Sequence, residues 1–348
     1  FDNFSERGLT MTLDQEGGFE QLMSMARGFS AAKMLTVAVN LALFDFLDSP
    51  RSAVEAAAWL KADARAAGSF LNGLVALGLV VKEVDYFHNS KLASRYLVQG
   101  KDDYRGAIIK HLEHTWERGW NDLQNTVLTG HPQGVEPETW VDTRARRDEE
   151  GVRAFIWGMH AVARDLAPEV APKLPLSGVR HLLDLGGGPA TYAIAFAQAN
   201  PDLRATVFDL PAPSEIAREN IAKHGLSSRI DILSGNFLQD DIGSSYDFIW
   251  ISQILHSHDQ EQCRLIIRKA AAALAPGGML AIQDFYLNPD GCTPPGAALF
   301  GVHMLAVTPR GRAYTYGEVA EWIKEEGLTA PAHIPTSPES SVLLAAKP

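Results

Sequence analysis

The first chemical signal in the sequence is a glycine turn that directly follows an apolar run. His181–Leu185 is typical of a buried strand, and Gly186, Gly187 and Gly188 follow it before a helical pattern begins at Thr191. Glycine lets the backbone turn sharply and approach a ligand closely. Parallel α/β sheets bind cofactors at the carboxyl ends of their strands. The turn therefore predicts a cofactor site.

Two acidic residues accompany the turn and narrow the choice of cofactor. Asp184 precedes the first glycine by two positions, and Asp209 ends the next predicted strand. A carboxylate at 184 opposes a pyrophosphate but can accept hydrogen bonds from the ammonium of a methionine moiety, and an acid at the end of the second strand suits ribose hydroxyls. Singly, each acid could be a cap or a turn residue. Together they favour S-adenosylmethionine, which is cationic and has no phosphate.

A nicotinamide-dependent dehydrogenase is the rival enzyme. Its glycine pattern, Gly-x-Gly-x-x-Gly, is not met, because the sixth position counted from Gly186 is Thr191. The sequence also offers no recognisable constellation for hydride transfer. We therefore disfavour this alternative.

His256 is the candidate general base. It follows the predicted strand Tyr246–Ile251 and should lie at the same sheet edge as the glycine turn. Imidazole titrates near neutrality and is the usual base for a hydroxyl. A sulfonium donor already has a good leaving group, so the remaining task is to deprotonate and align the acceptor. A lone histidine is more often a cap or a surface residue, but its position relative to Asp184 and Asp209 favours catalysis.

The pattern of elements divides the chain into two domains. Helical periodicity at 19–47, 52–60 and 64–77, followed by a short hairpin at 79–87, predicts a winged helix. Beyond a proline-containing stretch at 165–180, strands and helices alternate, which predicts a Rossmann-like, doubly wound α/β sheet. The predicted segments are an N-terminal arm 1–18, a winged-helix domain 19–100, a helical linker and pocket region 101–175, and a cofactor-binding domain 176–348.

Composition argues against nucleic acid and membrane partners. The 348 residues carry a net charge of -11, which would repel a polyanion. No apolar run approaches the roughly 20 residues of a membrane helix. The two cysteines, Cys263 and Cys292, lack metal-ligand spacing and suit a reducing compartment. We therefore expect a cytoplasmic protein without a metal. A winged-helix transcription regulator is disfavoured, because Arg65 is the only basic residue of the 64–77 helix.

With these residues the chain resembles the plant and bacterial small-molecule O-methyltransferases that carry an N-terminal winged-helix dimerisation domain. The likeness runs from about Phe19 to the C-terminus. Its most specific pieces are Leu183–Gly188, Phe208–Pro211, Ile254–His256 with Glu261 and Cys263, and Leu274–Gly278. The resemblance implies a homodimer, S-adenosylmethionine as methyl donor and His256 as base. The expected cofactor contacts are Asp184, Gly186, Gly187, Gly188, Asp209, Leu210 and Ser252, with Asn236 and Phe237 beside the adenine.

Departures from the family pattern surround His256. In plant members an acidic residue follows this histidine, whereas Ser257 follows it here. Two glutamates also flank the histidine in those members. Asp284 is the candidate replacement for one, and the other would fall near Ala313, where no carboxylate stands; His258 is a further candidate for assistance. Methylation of carbon or nitrogen, or a member with lost or changed activity, therefore stays open.

An apolar pocket for the methyl acceptor is expected where the helix at 148–164 faces the stretch 295–307. Aromatic rings and methionines suit a flat aromatic or polyketide-like acceptor with a phenolic or enolic hydroxyl. Each of these residues, taken singly, is more often part of the core packing. The candidates are Phe155, Met159, Phe300, His303 and Met304.

Overall fold

The computed structural model describes residues 18–132 and 149–348. The chain divides into two compact units between Trp116 and Glu117. This division lies within the predicted linker 101–175, whereas the predicted arm 1–18 lies outside the described residues except for Gly18. The domain boundaries drawn from the sequence stay predictions.

The N-terminal unit is mainly helical with a small antiparallel sheet. Its strands are β1 (Arg51–Ser52), β2 (Val80–Glu83) and β3 (Tyr86–Asn89), in the order β1-β3-β2. Its helices are α1 (Phe19–Asn40), α2 (Leu43–Phe46), α3 (Ala53–Leu60), α4 (Ala64–Ala76), α5 (Lys91–Tyr96) and α6 (Gly106–Arg118).

Local signals set several of these helix ends. Ser52 caps α3 in a capping box, accepting from the Glu55 amide at 3.2 Å while its own amide donates to the Glu55 carboxylate at 2.8 Å. The helix predicted over 19–47 is wrong in one respect, because Ala42 adopts a φ of 50° and separates α1 from α2. A left-handed residue cannot continue a right-handed helix.

The C-terminal unit contains a seven-stranded sheet with helices packed on it. The strands are β4 (His181–Leu185), β5 (Arg204–Asp209), β6 (Ile230–Ser234), β7 (Tyr246–Ser252), β8 (Leu274–Asp284), β9 (Ala332–Pro335) and β10 (Ser341–Ala346). Their order is β6-β5-β4-β7-β8-β10-β9, with β4 to β8 parallel and β9 and β10 antiparallel. The helices are α7 (Leu123–Thr129), α8 (Glu149–Val170), α9 (Thr191–Ala199), α10 (Pro211–Lys223), α11 (Gln260–Ala273), α12 (Pro295–Val307) and α13 (Tyr316–Glu325). The predicted doubly wound fold is confirmed, and the sequence reading missed β9.

The strand order places a crevice at the centre of the sheet. β4 pairs with β5 on one side and with β7 on the other, so chain connections leave it in opposite directions. In register, Asp184 lies opposite Val207 of β5 and Trp250 of β7. The carboxyl ends of these three strands therefore meet at one edge, where open α/β sheets bind ligands.

Alternate residues of the buried strands pack into two apolar layers, one on each face of the sheet. In β7, Phe248 and Trp250 pack into one layer, whereas Ile249 and Ile251 pack into the other. All four are fully buried. This period of two explains why the central strands are almost continuously apolar, since both faces of the sheet are covered by helices.

The predicted helical linker and pocket region 101–175 is broken between α6 and α7. Gly119 separates α6 from a 3-10 turn, Trp120–Asp122, which continues into α7. A side chain at Gly119 would collide with the backbone of Ala306 in α12. The glycine therefore permits a close approach that places Trp120 beside α12. Among the helices that the structure describes, none is long and apolar enough to cross a membrane.

Removing a buried side chain from the central sheet should destabilise the C-terminal unit. Leu280 in β8 is 0% exposed, so Leu280→Ala should lower the free energy of unfolding by about 3–5 kcal/mol through lost burial and the cavity left behind. Leu128→Ala is the matched control, because Leu128 is 77% exposed and its loss should cost less than about 0.5 kcal/mol. Urea unfolding followed by circular dichroism measures both. Equal effects of the two substitutions would contradict the assignment of the core.

Candidate active site

The glycine turn after β4 runs tightly between two side chains. Gly186 adopts a φ of 74°, and a side chain there would collide with Ile254. A Cβ at Gly187 would lie 2.7 Å from the carboxyl carbon of Asp184. Gly188, at a φ of 52°, differs, because no heavy atom of the described residues lies within 4 Å of where its Cβ would be. The first two glycines of the turn are therefore tightly packed, whereas Gly188 has space beside it.

Asp209 joins the glycine turn to the end of β5. Its Oδ2 accepts a hydrogen bond from the Gly188 amide, and its Oδ1 accepts one from the Leu210 amide, both at 2.7 Å. The side chain is only partly buried. These two bonds orient the Asp209 carboxylate at the end of β5.

Asp184 is a buried acid at the bottom of the same turn. It is 2% exposed, and its Oδ2 accepts a hydrogen bond from the Ala193 amide in the first turn of α9 at 3.2 Å. Burial raises the pKa of Asp184 to about 7, and the negative charge of Asp209 adds to this, while the bond from Ala193 opposes it. A cation close to this turn would favour the ionised form.

The loop after β6 is fixed by its own polar groups. The Asn236 amide donates to the Asp240 carboxylate at 2.7 Å, and the Asn236 side-chain oxygen accepts from the Leu238 amide at 3.0 Å. Lys269 donates to the Phe237 carbonyl at 2.6 Å. The Phe237 ring lies 3.7 Å from the Cβ position of Gly186. Phe237 therefore reaches the glycine turn, whereas the side-chain oxygen of Asn236 is used by the loop.

Ser252, at the end of β7, belongs to a polar group that the sequence analysis missed. Its hydroxyl donates to the Gln283 side-chain oxygen at 2.9 Å. The Gln283 amide nitrogen in turn donates to the Thr336 hydroxyl at 3.1 Å, and Gln283 is fully buried. The available signal was Gln283 itself, a polar residue directly after the apolar run Met279–Ile282 of β8.

His256 lies in a 3-10 turn, Leu255–Ser257, just beyond β7. Its Nδ1 is 2.7 Å from Oδ1 of Asp284, and both side chains are buried. The Asp284 carboxylate also accepts from the backbone amides of His256 at 3.3 Å and Phe285 at 2.9 Å. Because an ionised carboxylate only accepts, the imidazole hydrogen belongs on Nδ1. Nε2 of the neutral ring then keeps its lone pair for an incoming proton.

The residues around the 3-10 turn explain its position. A side chain at Gly311 would collide with the His256 carbonyl, and the Gly311 amide donates to the Thr308 hydroxyl at 2.8 Å. Ala313 is 7% exposed, and a Cβ at Gly301 of α12 would lie 3.3 Å from its methyl group. Small residues therefore occupy this wall, where plant members of the resembled family would carry a glutamate.

His258 is buried rather than on the surface. It is 8% exposed, and its ring meets Phe237 edge-on at a centroid distance of 5.6 Å. Its carbonyl accepts a hydrogen bond from the Tyr314 hydroxyl at 2.6 Å. These contacts place His258 next to the loop after β6, so it supports that loop.

An aromatic group extends from His256 into α12. The Phe300 ring stands perpendicular to His256 at 4.8 Å and lies 4.4 Å from Phe285, which the sequence analysis missed. His303 follows at 5.9 Å from Phe300. The Trp120 indole nitrogen donates to Nδ1 of His303 at 3.0 Å. The structure thus brings two predicted pocket residues, Phe300 and His303, to the candidate base.

The other three predicted pocket residues, Phe155, Met159 and Met304, stay predictions. Phe155 and Trp157 pack against the cluster formed by Ile156 and Ile216. Met304 is 6% exposed, as expected for a packing residue. Met159 is partly buried on α8, and its place in a pocket stays a prediction. Within residues 18–132 and 149–348, no group of three or more His, Cys, Asp and Glu side chains could hold a metal ion.

Each of the two units of the chain matches a known protein family. Residues 120–329 match the O-methyltransferase domain family, and residues 23–99 match the O-methyltransferase dimerisation domain. Among solved structures, an O-methyltransferase family protein from Burkholderia thailandensis is 28% identical with a TM-score of 0.85. The match covers 95% of this chain and 98% of that one.

The bacterial relatives that are more than 30% identical include an O-methyltransferase and an N,N-dimethyltransferase. The 3-hydroxy-5-methyl-1-naphthoate 3-O-methyltransferase of Streptomyces sahachiroi is 33% identical over 88% of this chain and 89% of the relative. The N,N-dimethyltransferase OxyT of Streptomyces rimosus is 31% identical over 77% of this chain and 78% of the relative. Similar chains therefore modify both oxygen and nitrogen.

The buried Asp184 should make folding stability fall as pH rises. The folded protein holds the Asp184 proton up to about pH 7, whereas an unfolded aspartate releases it near pH 4. Ionisation in the folded state is therefore penalised. Between about pH 6 and about pH 8, the free energy of unfolding of the wild type should fall by about 1.4 kcal/mol because Asp184 ionises. Asp184→Asn should not show this decrease.

Urea unfolding at the two pH values measures this difference. Asparagine can still accept from the Ala193 amide, and Asp202→Asn, at an exposed position of the same unit, is the matched control. The free energy of unfolding of Asp202→Asn should change with pH as that of the wild type does. The same pH dependence in Asp184→Asn and in the wild type would contradict a buried acid with a raised pKa.

Proposed function

The chain belongs to the S-adenosylmethionine-dependent O-methyltransferase family, and we propose that it methylates a phenolic or enolic hydroxyl of a small aromatic or polyketide-like molecule. One observation carries the proposal. His256 is bonded through Nδ1 to Asp284 and keeps Nε2 for an incoming proton, at the same sheet edge as the glycine turn. This is the arrangement of a general base with its orienting carboxylate.

The residues around the glycine turn fit S-adenosylmethionine. Gly188 leaves open space where a Cβ would be, and the acids Asp184 and Asp209 suit a cationic ligand and its ribose. Asp209 would hold the ribose hydroxyls, Asp184 would face the ammonium end, and Phe237 would contact the adenine. Gly186, Gly187, Leu210, Ser252 and Asn236 are the further proposed contacts. We also propose that no metal takes part.

The chemistry divides between the cofactor and His256. When bound, S-adenosylmethionine supplies an electrophilic methyl group on a positively charged sulfur. His256 accepts the proton of the acceptor hydroxyl at Nε2, which turns the oxygen into a better nucleophile. The Asp284 carboxylate, 2.7 Å from Nδ1, stabilises the imidazolium that forms. Phe285 and Phe300 keep the imidazole in apolar surroundings, which strengthens this charge interaction.

The aromatic group supports a flat acceptor. Phe285 and Phe300 lie 4.4 Å apart beside His256, and such rings favour stacking or edge contacts with an aromatic ligand. The Streptomyces sahachiroi relative is named for a hydroxynaphthoate. We therefore infer an aromatic or polyketide-like acceptor. The proposed pocket residues are Phe155, Met159, Phe300, His303 and Met304.

Methylation of an amine is the second candidate, because OxyT is named an N,N-dimethyltransferase. An amine already has a nucleophilic lone pair and needs a base only to remove a proton after transfer. A paired assay separates the two: 3-hydroxy-2-naphthoate against 3-amino-2-naphthoate, each with methyl-labelled donor. Transfer to the hydroxy compound alone supports the proposal, and transfer to the amino compound alone would favour the alternative.

We infer that the protein acts as a homodimer in the cytoplasm, without nucleic acid or membrane partners. The dimerisation-domain match covers residues 23–99. Large apolar side chains on α1 support an interface there, since Phe19, Leu22 and Phe29 are 71%, 55% and 69% exposed. A single chain in water would rarely leave such a group uncovered.

Replacing the base should remove turnover and spare cofactor binding. His256→Asn should lower kcat by about 10²–10⁴-fold, because the acceptor proton loses its recipient. Asp284→Asn should also lower kcat, because the imidazolium loses its stabilising charge. The affinity for S-adenosylhomocysteine, measured by calorimetry, should stay within about twofold of the wild type.

His181→Asn is the matched control, since His181 is an exposed histidine at the opposite end of β4. It should retain wild-type kcat. The assay uses hydroxynaphthoates and hydroxyanthraquinones as acceptors. Wild-type turnover in His256→Asn would exclude His256 as the base.

A further inference from the structure

His303 has a fixed tautomer because of the residue that binds it. The Trp120 indole nitrogen lies 3.0 Å from Nδ1 of His303, and the two rings stack at 6.1 Å with an angle of 25°. An indole N–H can only donate, so Nδ1 must accept. The hydrogen of the neutral His303 ring is therefore on Nε2, and this nitrogen can only donate.

The surroundings of His303 favour the neutral ring. Burial lowers the pKa of His303, and positive charge on His256 lowers it further. The indole hydrogen bond that Nδ1 accepts favours the same uncharged ring, because a protonated Nδ1 could not accept it. His303 is a neutral hydrogen-bond donor next to a site where charge develops.

The donor nitrogen of His303 is available to a ligand. Nε2 makes no hydrogen bond to any residue within 18–132 and 149–348, and it is not among the buried side-chain atoms of that part of the chain that lack a partner. Nε2 is therefore not fully enclosed by the described residues. His303 is also only 5.9 Å from Phe300, the ring that stands perpendicular to His256. The two imidazoles flank one aromatic ring.

The local backbone is built to keep Trp120 in this position. Gly119 allows the 3-10 turn Trp120–Asp122 to approach the backbone of Ala306, one helical turn beyond His303. Any side chain at 119 would collide there. The indole therefore reaches His303 from a turn that is packed directly on α12, which makes the tautomer a property of the fold.

We propose that His303 is a specificity-determining residue that donates a hydrogen bond from Nε2 to a carbonyl or carboxylate oxygen of the acceptor, while the hydroxyl to be methylated lies at His256. Trp120 is the positioning residue that fixes the His303 tautomer. The acceptor class is then a hydroxyaromatic compound that also carries a carbonyl or carboxylate, rather than a simple phenol. This inference rests on the proposed function for the role of His256.

The test compares two acceptors that differ in the second oxygen group. 3-Hydroxy-2-naphthoate carries a carboxylate and 2-naphthol does not, and the binding of each is measured by calorimetry with S-adenosylhomocysteine present. The wild type should bind the carboxylate compound roughly tenfold to hundredfold more tightly, because a hydrogen bond to a charged group contributes more than a neutral one. Equal binding of the two compounds by the wild type would overturn the proposal.

Two substitutions at 303 separate recognition from packing. His303→Phe keeps a ring and removes the donor, so it should lose the preference for the carboxylate compound and leave 2-naphthol binding unchanged. His303→Gln keeps an N–H donor and should retain part of the preference. Thermal melts confirm that both variants fold. Equal weakening of both compounds in His303→Phe would mean that the residue only packs.

Trp120→Phe tests the positioning role. Without the indole N–H, the ring of His303 can adopt either tautomer, so the preference for the carboxylate compound should fall severalfold while 2-naphthol binding stays constant. An unchanged preference would remove Trp120 from the proposal. Methyl transfer is assayed in parallel. Selective binding of the carboxylate compound without transfer to any acceptor would contradict the proposed function alone. Methyl transfer without a preference for the carboxylate compound would contradict only the role of His303.

Discussion

The hydrogen bond between His256 and Asp284 is the interaction on which the site depends. It joins a 3-10 turn after β7 to the last residue of β8, and the parallel register that pairs Ser252 with Gln283 brings the two together. The bond is buried, so breaking it would leave polar groups without a partner from water, at a cost in free energy. Because the carboxylate also accepts two backbone amides, it is fixed before any ligand arrives. The base is therefore oriented by the sheet itself.

The same sheet edge concentrates negative charge around the glycine turn. Asp184 is buried beneath the turn, and Asp209 accepts the amides of Gly188 and Leu210. Burial holds the pKa of Asp184 at about 7, a cost in folding stability that a cationic ligand would offset. We infer that cofactor binding and acceptor activation use one edge but separate residues, the acids at β4 and β5 and the imidazole at β7. This separation is why the two functions can be tested independently.

Sequence reasoning captured what local pattern determines. Residues close together in the sequence determine the period of two in β7, the glycine turn, and the order of strands and helices. The fold class could therefore be predicted from them. Contacts between distant segments were not predictable in this way. Phe285 and Trp120 join the site only because β8 and a glycine-broken helix approach α12. The break at Ala42 likewise carries no glycine or proline signal.

The tautomer of His256 can be measured by nitrogen NMR. The protein is labelled with ¹⁵N-histidine, S-adenosylhomocysteine is added, and the imidazole nitrogen shifts are recorded at a pH where the ring is neutral, with His256→Asn to assign the signals. We predict hydrogen on Nδ1, donated to Asp284, and an unprotonated Nε2. Hydrogen on Nε2 with a bare Nδ1 would exclude His256 as the base, because the nitrogen that should receive the acceptor proton would already carry one.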